Sequence, residues 1–274
     1  MKPPAGAFLS RLTLTDFRCY EALRFETDAR AIVLTGPNGA GKTNVLEAIS
    51  LLTPGRGLRN AKTTEIGRKT ADGQLRRWGV AAVVNGPGGE SVLGVGCDPA
   101  TQGERRKVQV DGAPARGQAA LAERFSALWL TPQMDRLFID GAEERRRYLD
   151  RLATTFDPAH IGRVSNYRNA MRQRLRLLKE GRADPTWLDA LEAEMAARAV
   201  AVAAARNQTA LLLDTAAAEG VGVFPRASVI VEGTAERLLE TGPALAAEDM
   251  LRAKLAADRG RDAQLGATAT GPHR

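Results

Sequence analysis

The chain has 274 residues, in which 39 Lys and Arg outnumber 32 Asp and Glu to give a formal charge of +7. This length is typical of one large domain or two modest ones. No apolar run approaches the ~20 residues of a membrane helix, and two cysteines are too few for a disulfide framework. The scarcity of Cys and His disfavours a dedicated zinc site. We therefore expect a cytoplasmic protein that does not span a membrane.

The first fifty residues predict strands and turns that lead into a helix. Residues 8–14 alternate apolar and polar side chains, as a half-buried strand does, and residues 22–25 predict a second strand. The apolar run at 31–35 predicts a buried strand. A glycine-rich loop follows, and the next segment, 42–52, has the periodicity of an amphipathic helix.

The middle of the chain predicts an antiparallel meander. Residues 78–84, 91–96 and 107–110 are rich in strand-forming side chains, and the Gly/Pro-rich segment 85–89 joins the first two as a hairpin loop. Residues 125–130 predict a further short apolar strand.

Beyond residue 160 the pattern becomes helical. Apolar side chains recur every three or four residues over 164–178 and again over 188–202, on either side of the turn 180–185. This arrangement predicts an antiparallel helical hairpin. After it, residues 227–231 predict a short strand and residues 247–257 a helix.

A phosphate-binding motif lies between the run at 31–35 and the helix. Its sequence fits G-x-x-x-x-G-K-[ST] at every position, with glycines that let backbone N–H groups turn toward phosphate oxygens. Lys42 can reach the β- and γ-phosphates, and the Thr43 hydroxyl can ligate Mg²⁺. We therefore expect ATP and Mg²⁺ as ligands, held by Gly36, Pro37, Asn38, Gly39, Ala40, Gly41, Lys42 and Thr43. A small-molecule kinase would use the same loop, whereas a GTPase is disfavoured because no N-K-x-D motif is present.

Further motifs follow this loop in a specific order. They are Leu12-x-Leu14-x-Asp16-Phe17-Arg18, then Asn44-x-Leu46-Glu47-Ala48 after the loop, Gly55-Arg56-Gly57-Leu58-Arg59, Gly141 with Arg145-Arg146-Arg147-Tyr148-Leu149-Asp150, and Asp262-x-x-x-Gly266-x-Thr268-x-x-Gly271-Pro272-His273-Arg274. Together they closely resemble the RecF family of SMC-like ABC ATPases. The resemblance implies an α/β fold, namely a P-loop NTPase head of the ABC/SMC type with an antiparallel β subdomain and an inserted helical-hairpin lobe. Residues 1–135 and about 225–274 would form the head, and residues from about 136 to 224 the helical lobe.

The resemblance also implies a function. Such a protein would act in recombinational repair and replication-fork maintenance, bind single-stranded and gapped duplex DNA, and help to load the recombinase. Its partners would be recombination mediator proteins and, when ATP is bound, a second copy of itself. The family pattern implies catalytic roles for Lys42 and for Gln133, which resembles the glutamine that contacts Mg²⁺ or water in ABC heads. Arg18 and Arg59 lie beside the loop in the same pattern and could reach the nucleotide phosphates.

Two motifs of a complete ABC ATPase are missing from the sequence. Family members resemble slow DNA-stimulated ATPases, but no signature motif and no Walker B aspartate pair occurs before Arg274. The segment Leu211-Leu212-Leu213-Asp214 resembles a Walker B strand, yet it continues the heptad pattern of the hairpin and is expected to be helical. An alternative is therefore a catalytically incomplete fragment that binds ATP and DNA.

Positive charge is concentrated between residues 136 and 182. This segment contains twelve basic and six acidic residues, a local excess of +6. A stripe of one sign can neutralise phosphates without reading base identity, although the polar face of a solvated coiled coil would look similar. The predicted DNA-binding residues are Arg163, Arg168, Arg172, Arg174, Arg176, Lys179 and Arg182.

Overall fold

The computed structural model describes residues 8–28, 31–86, 88–97, 106–181, 184–220 and 222–273. The chain divides into two compact units, Met1–Leu130 and Thr131–Arg274. Within the described ranges, no helix combines the length and the apolar character that a membrane span requires.

The first unit is built on a six-stranded antiparallel sheet. Its strands run in the spatial order β2-β1-β3-β4-β5-β6. Leu14 in the first strand pairs with Leu23 on one side and Val80 on the other, so both neighbours of that strand are fixed in register. The predicted antiparallel meander is confirmed, since β3 pairs with β4 and β4 with β5. The bounds are β1 Phe8–Phe17, β2 Tyr20–Glu26, β3 Trp78–Gly86, β4 Gly89–Cys97, β5 Lys107–Val110 and β6 Ala113–Pro114.

One face of this sheet is covered by the helix that follows the phosphate-binding motif. This helix, α1 (Lys42–Leu51), buries Val45, Ala48 and Leu51 against the sheet core. At the centre of that core, Phe17 and Trp78 meet edge to face with ring centroids 5.8 Å apart, a favoured aromatic geometry. A short helix, α2 (Ala119–Ala122), completes the unit.

Two predicted strands of this unit are wrong. Residues 31–35 form no strand, and Val33 is 84% exposed; residues 125–130 are also irregular, with Leu130 80% exposed. A strand needs a neighbour to satisfy its backbone N–H and C=O groups. Within the described part of the chain, neither segment has a strand that pairs with it. Their apolar composition therefore did not suffice to form a strand.

The second unit is entirely helical apart from its loops. The predicted hairpin is confirmed: α4 ends at Gly181, which adopts the left-handed conformation, and α5 begins with Pro185 after the N-cap Asp184. The Asp184 carboxylate accepts a hydrogen bond of 2.9 Å from Thr186 N, a standard N-cap. The helices are α3 Ala142–Phe156, α4 His160–Glu180, α5 Pro185–Ala218, α6 Thr234–Thr241, α7 Ala244–Ala257 and α8 Arg259–Leu265.

The long helix α5 is the scaffold of this unit. Its small buried residues Ala196, Ala199 and Ala203 allow neighbouring helices to approach, and α4, α6 and α7 all pack against it. Residues 211–214 lie within α5, so the Walker B-like segment is helical, as predicted. The strand predicted at 227–231 is absent. Instead, Val229 N donates a 3.0 Å hydrogen bond to the Asp214 carboxylate.

The C-terminal segment packs within the second unit. Residues 225–274 cluster there with the helical hairpin. The cause is direct contact, since α7 packs against α5 and α8 against α4. The functional assignment of residues 225–274 to an ATP-binding head stays a prediction.

Candidate functional site

Three glycines give the phosphate-binding loop its shape. Gly36, Gly39 and Gly41 have φ values of 141°, 86° and 92°, in the region that favours glycine. The chain turns back where Ala40 N donates to Pro37 O at 3.3 Å. The loop is exposed and enters α1 directly. The positive end of that helix thus adjoins an exposed turn, an arrangement suited to an anion.

The loop lysine is engaged by the loop itself. Lys42 Nζ donates to Gly36 O at 2.6 Å and to Pro37 O at 2.7 Å. Thr43 lies in the first turn of α1 with an exposed side chain. The ammonium group is therefore held by two carbonyls of the loop, and the roles predicted for Lys42 and Thr43 stay predictions.

The turn between β1 and β2 packs directly on the end of this loop. A Cβ atom on Gly41 would lie 2.5 Å from Tyr20 Oη and 2.9 Å from Cys19 Sγ. Asn44 Nδ2 donates to Cys19 Sγ at 3.0 Å. Burial, and then the neighbouring Cys19, raises the pKa of Tyr20, so its hydroxyl is protonated at neutral pH. Only glycine fits at position 41.

A buried carboxylate connects this turn, α1 and the segment after it. Glu47 is 0% exposed. Arg18 donates to it through Nε (2.9 Å) and Nη2 (2.6 Å), and Arg59 through Nη1 (2.9 Å). Arg18 also donates to Glu65 O, and Arg59 to the Asn44 side chain at 2.8 Å. Both arginines expected near the phosphates thus bind one glutamate. Glu47 is part of the Asn44–Ala48 motif, but the sequence alone predicted no role for it.

Gln133 lies in the other unit. It belongs to a 3-10 turn, Pro132–Arg136, and its side chain is exposed. Its contact with Mg²⁺ or water stays a prediction.

Four of the predicted DNA-binding residues form one exposed stripe along α4. Arg168, Arg172 and Arg176 are spaced by four residues and Lys179 by three more, so they follow one side of the helix. At 1.5 Å per residue the stripe is about 17 Å long. Within the described ranges, Arg172 donates to the Asn169 side chain and to Arg168 O, and Arg176 lies 3.9 Å from Glu180. We refer to these four residues as the basic stripe.

The structure corrects the expectation for Arg174. Its side chain is 0% exposed and donates to Glu192 (2.8 Å), Asp262 (2.7 Å) and Leu255 O (2.7 Å). A guanidinium with every face engaged inside the unit cannot reach a DNA phosphate, so Arg174 is a structural residue.

The two remaining candidates differ from the basic stripe. Arg163 is partly buried and bonds the Asp157 carboxylate. Arg182 lies outside the described residues.

A second buried polar cluster joins the family motif around Asp150 to α5. Asp150 accepts from Arg206 at 2.8 and 3.0 Å and contacts His160 Nε2 at 2.8 Å. Burial alone would raise the pKa of Asp150, but the hydrogen bonds from His160 and Arg206 hold it below its ordinary value. This carboxylate is therefore ionised and structural.

The C-terminal family motif is held by the same helices. Tyr167 of α4 contacts His273 Nδ1 at 2.9 Å, and His273 Nε2 lies 2.9 Å from Thr268 O. Arg206 Nη1 donates to Pro272 O at 2.5 Å. His273 thus has a structural environment; Arg274 lies outside the described residues.

No group of three or more His, Cys, Asp or Glu side chains suited to a metal occurs among the residues the structure describes.

Comparison with solved structures establishes the fold. The chain superposes with a TM-score of 0.86 on the recombination mediator protein RecF-ATPrS of the RecFOR pathway, at 21% identity, covering 98% of this chain and 72% of that one. A second structure, RecF-ATP, gives 0.85 at 20% identity, covering 100% and 73%. The predicted P-loop head of the ABC/SMC type is confirmed.

Comparison of sequences identifies the family. Residues 11–88 match the model of an AAA domain. The DNA replication and repair protein RecF of Mesorhizobium japonicum is 43% identical over 99% of this chain and 71% of its own length. The protein of the same name from Rhizobium etli is 44% identical over 99% and 72%. The chain belongs to the RecF family.

Proposed function

We propose that this protein binds ATP with Mg²⁺ through residues 36–43 and binds the DNA backbone through the basic stripe, as a component of recombinational repair. The observation that carries the proposal is the complete P-loop in a chain of the RecF family. The structural neighbours named RecF-ATP and RecF-ATPrS support the choice of nucleotide.

The loop fits a polyphosphate. Its glycines hold a conformation that other residues adopt only with strain, and Gly39 has no neighbouring atom within 4 Å of a Cβ position. The phosphates would lie against the N–H groups of residues 36–43, with Lys42 and the end of α1 supplying positive charge. Thr43 would hold Mg²⁺, which screens the phosphate charge when bound. Lys42 would have to leave Gly36 O and Pro37 O to reach a phosphate.

Calorimetric titration of ATPγS into the wild type and Lys42→Ala tests this assignment. Loss of the charged contact should cost about 2 kcal/mol or more, which is about 30-fold in Kd. Lys69→Ala is the matched control, since Lys69 is an exposed lysine of the same unit outside the loop. Unchanged affinity in Lys42→Ala would contradict the assignment.

DNA binding would depend on charge and shape. The basic stripe presents four cations and no base-stacking aromatic group on the same side of α4, which favours backbone contacts over recognition of base identity. We propose single-stranded and gapped duplex DNA as substrates, recombination mediator proteins as partners, and clamping by two heads when ATP is bound. Loading of the recombinase would follow from that clamp.

Two alternatives make different predictions. A catalytically incomplete fragment would bind ATP and DNA without steady turnover; phosphate release by the purified 274-residue chain with single-stranded DNA distinguishes it from an ATPase. Its motivation is that the Walker B-like Asp214 is helical and bonded to Val229 N. A P-loop small-molecule kinase would bind ATP but show no salt-sensitive DNA binding.

A further inference from the structure

The buried position of Glu47 has no explanation in hydrophobic packing. Its neighbours on α1 include the core residues Ala48 and Leu51, where an apolar side chain would also fit. A buried carboxylate is costly unless it is paired, and a pair buried in this way adds little stability over apolar packing. What glutamate provides at position 47, and an apolar side chain would not, is a carboxylate that holds two arginines in place.

Each arginine brings a different segment to the nucleotide loop. Arg18 has a φ of 55°, an uncommon left-handed conformation, at the turn whose Cys19 and Tyr20 lie against Gly41. All three side-chain nitrogens of Arg18 are engaged, by Glu47 and by Glu65 O. The strained turn is thus fixed by Glu47.

Arg59 brings the segment after α1 to the same carboxylate. Its Nη1 bonds both Glu47 and Asn44, and Asn44 in turn donates to Cys19 Sγ. Asn44 follows Thr43 directly. Two hydrogen bonds, through Arg59, therefore connect the Glu47 carboxylate with Asn44, and direct hydrogen bonds to Arg18 connect it with the β1–β2 turn.

We propose that Glu47 is a positioning residue for nucleotide binding, because its carboxylate fastens the β1–β2 turn and the segment carrying Arg59 to α1 and so holds the end of the phosphate-binding loop in its binding conformation. This inference rests on the proposed function, which supplies the nucleotide. Glu47 touches no phosphate in this role; it acts through Arg18, Arg59 and Asn44.

The test is a double-mutant cycle read by titration calorimetry with ATPγS. We expect Arg59→Ala and Glu47→Gln each to raise Kd about tenfold, since each loses hydrogen bonds between charged groups. The double variant should be no worse than Glu47→Gln alone, because Glu47 acts on this side of the loop through Arg59 and the two residues form one hydrogen-bonded unit. Arg59→Lys keeps the positive charge but lacks the planar guanidinium group, so its affinity for ATPγS should lie between those of Arg59→Ala and the wild type. Arg24→Ala, which removes an exposed arginine paired with Glu26, is the control and should match the wild type.

The number of binding sites separates positioning from folding. A variant that partly unfolds loses sites while the remaining molecules keep the wild-type Kd, whereas a mispositioned loop raises Kd at one site per chain. If Glu47→Gln does not fold, Arg59→Ala and Arg59→Lys decide alone, since Arg18 still pairs with Glu47 in both. Three results would each overturn the inference: a wild-type Kd in Arg59→Ala, a wild-type Kd in Arg59→Lys, or additive effects in the cycle. The Lys42→Ala comparison would still test nucleotide binding separately. Failure of the wild type to bind ATPγS would instead overturn the proposed function and this role with it.

Discussion

Arg206 of α5 donates hydrogen bonds to both carboxylate oxygens of Asp150 of α3, at 2.8 and 3.0 Å. Both side chains are more than nine-tenths buried. The third guanidinium nitrogen donates to Pro272 O. One side chain therefore connects two helices with the C-terminal family motif, across 56 residues of sequence on one side and 66 on the other.

Asp150→Ala should destabilise the helical unit strongly. Removing one partner of a buried ion pair leaves the other charge unpaired, at a typical cost of about 3–5 kcal/mol. Urea unfolding followed by circular dichroism measures the loss. Glu143→Ala is the matched control on the same helix, because its pair with Arg147 is largely exposed and such pairs contribute little. Equal effects of the two substitutions would contradict a structural role for Asp150.

The contribution of Asp150 should depend on acid pH. The pKa of the folded-state carboxyl lies below its ordinary value of about 3.9. Its stabilising effect is therefore complete above that ordinary value and is lost as pH falls through the lower folded-state pKa. Below about pH 4, the difference in unfolding free energy between the wild type and Asp150→Asn should shrink as pH falls further. A difference that grows on acidification would refute this linkage.

Gly41→Ala should impair nucleotide binding more than Gly39→Ala. Both positions have left-handed φ values, so both substitutions introduce strain. Only at position 41 would the new methyl group also collide with Tyr20 and Cys19. Calorimetric Kd values for ATPγS compare the two variants directly. Equal losses would show that backbone strain alone matters and that the β1–β2 turn does not constrain the loop.

Replacing Arg168, Arg172 and Arg176 together by Gln should reduce the salt dependence of DNA binding. Each phosphate contact contributes about 0.9 to the slope of log K against log salt for duplex DNA and about 0.7 for single strands. The triple variant should therefore lose about 2 to 3 from the slope. Fluorescence anisotropy at several salt concentrations measures it, with Arg252→Gln on α7 as the exposed control. An unchanged slope would place the DNA surface elsewhere.

Arg106→Met should leave the sheet unit as stable as the wild type or more stable. Burial lowers the pKa of Arg106 to about 10. Since the charged form is disfavoured in the folded state, the penalty is fully present below about pH 10. Among the described residues, apolar replacement removes it at the expense of the 3.0 Å hydrogen bond to Thr53 O. Thermal unfolding at pH 7 is the measurement; a fall in Tm well beyond that of the exposed control Arg24→Met would contradict this expectation.

Local sequence pattern predicted the elements whose stability is local. The hairpin of α4 and α5 follows from heptad spacing and a Gly/Pro turn, and the meander follows from alternation and a glycine-rich hairpin loop. The run at 31–35 failed because a strand depends on a partner elsewhere in the chain, which composition does not encode.

The candidate site was predictable to a similar degree. The phosphate-binding loop is contiguous, so its motif was sufficient to place it. Arg174 was assigned to the basic stripe by charge alone, although it lies seven residues after the inward-facing Tyr167 and therefore at an equivalent heptad position. Spacing could have separated it from Arg168 and Arg172. The clusters around Glu47 and Asp150 could not be predicted, since their partners are brought together only by tertiary packing.

The hydrogen bonds of Lys42 to Gly36 O and Pro37 O bear on the affinity of the loop for the proposed ligand. A phosphate would compete with these two carbonyl oxygens for the Lys42 ammonium group. The affinity measured for a ligand would therefore reflect the contacts that Lys42 gains minus the two hydrogen bonds that it loses. A ligand without a phosphate would provide no contact to replace the hydrogen bonds of Lys42 to these two carbonyls. Under the proposed function, this competition would favour ligands that carry phosphate over nucleosides and other uncharged compounds.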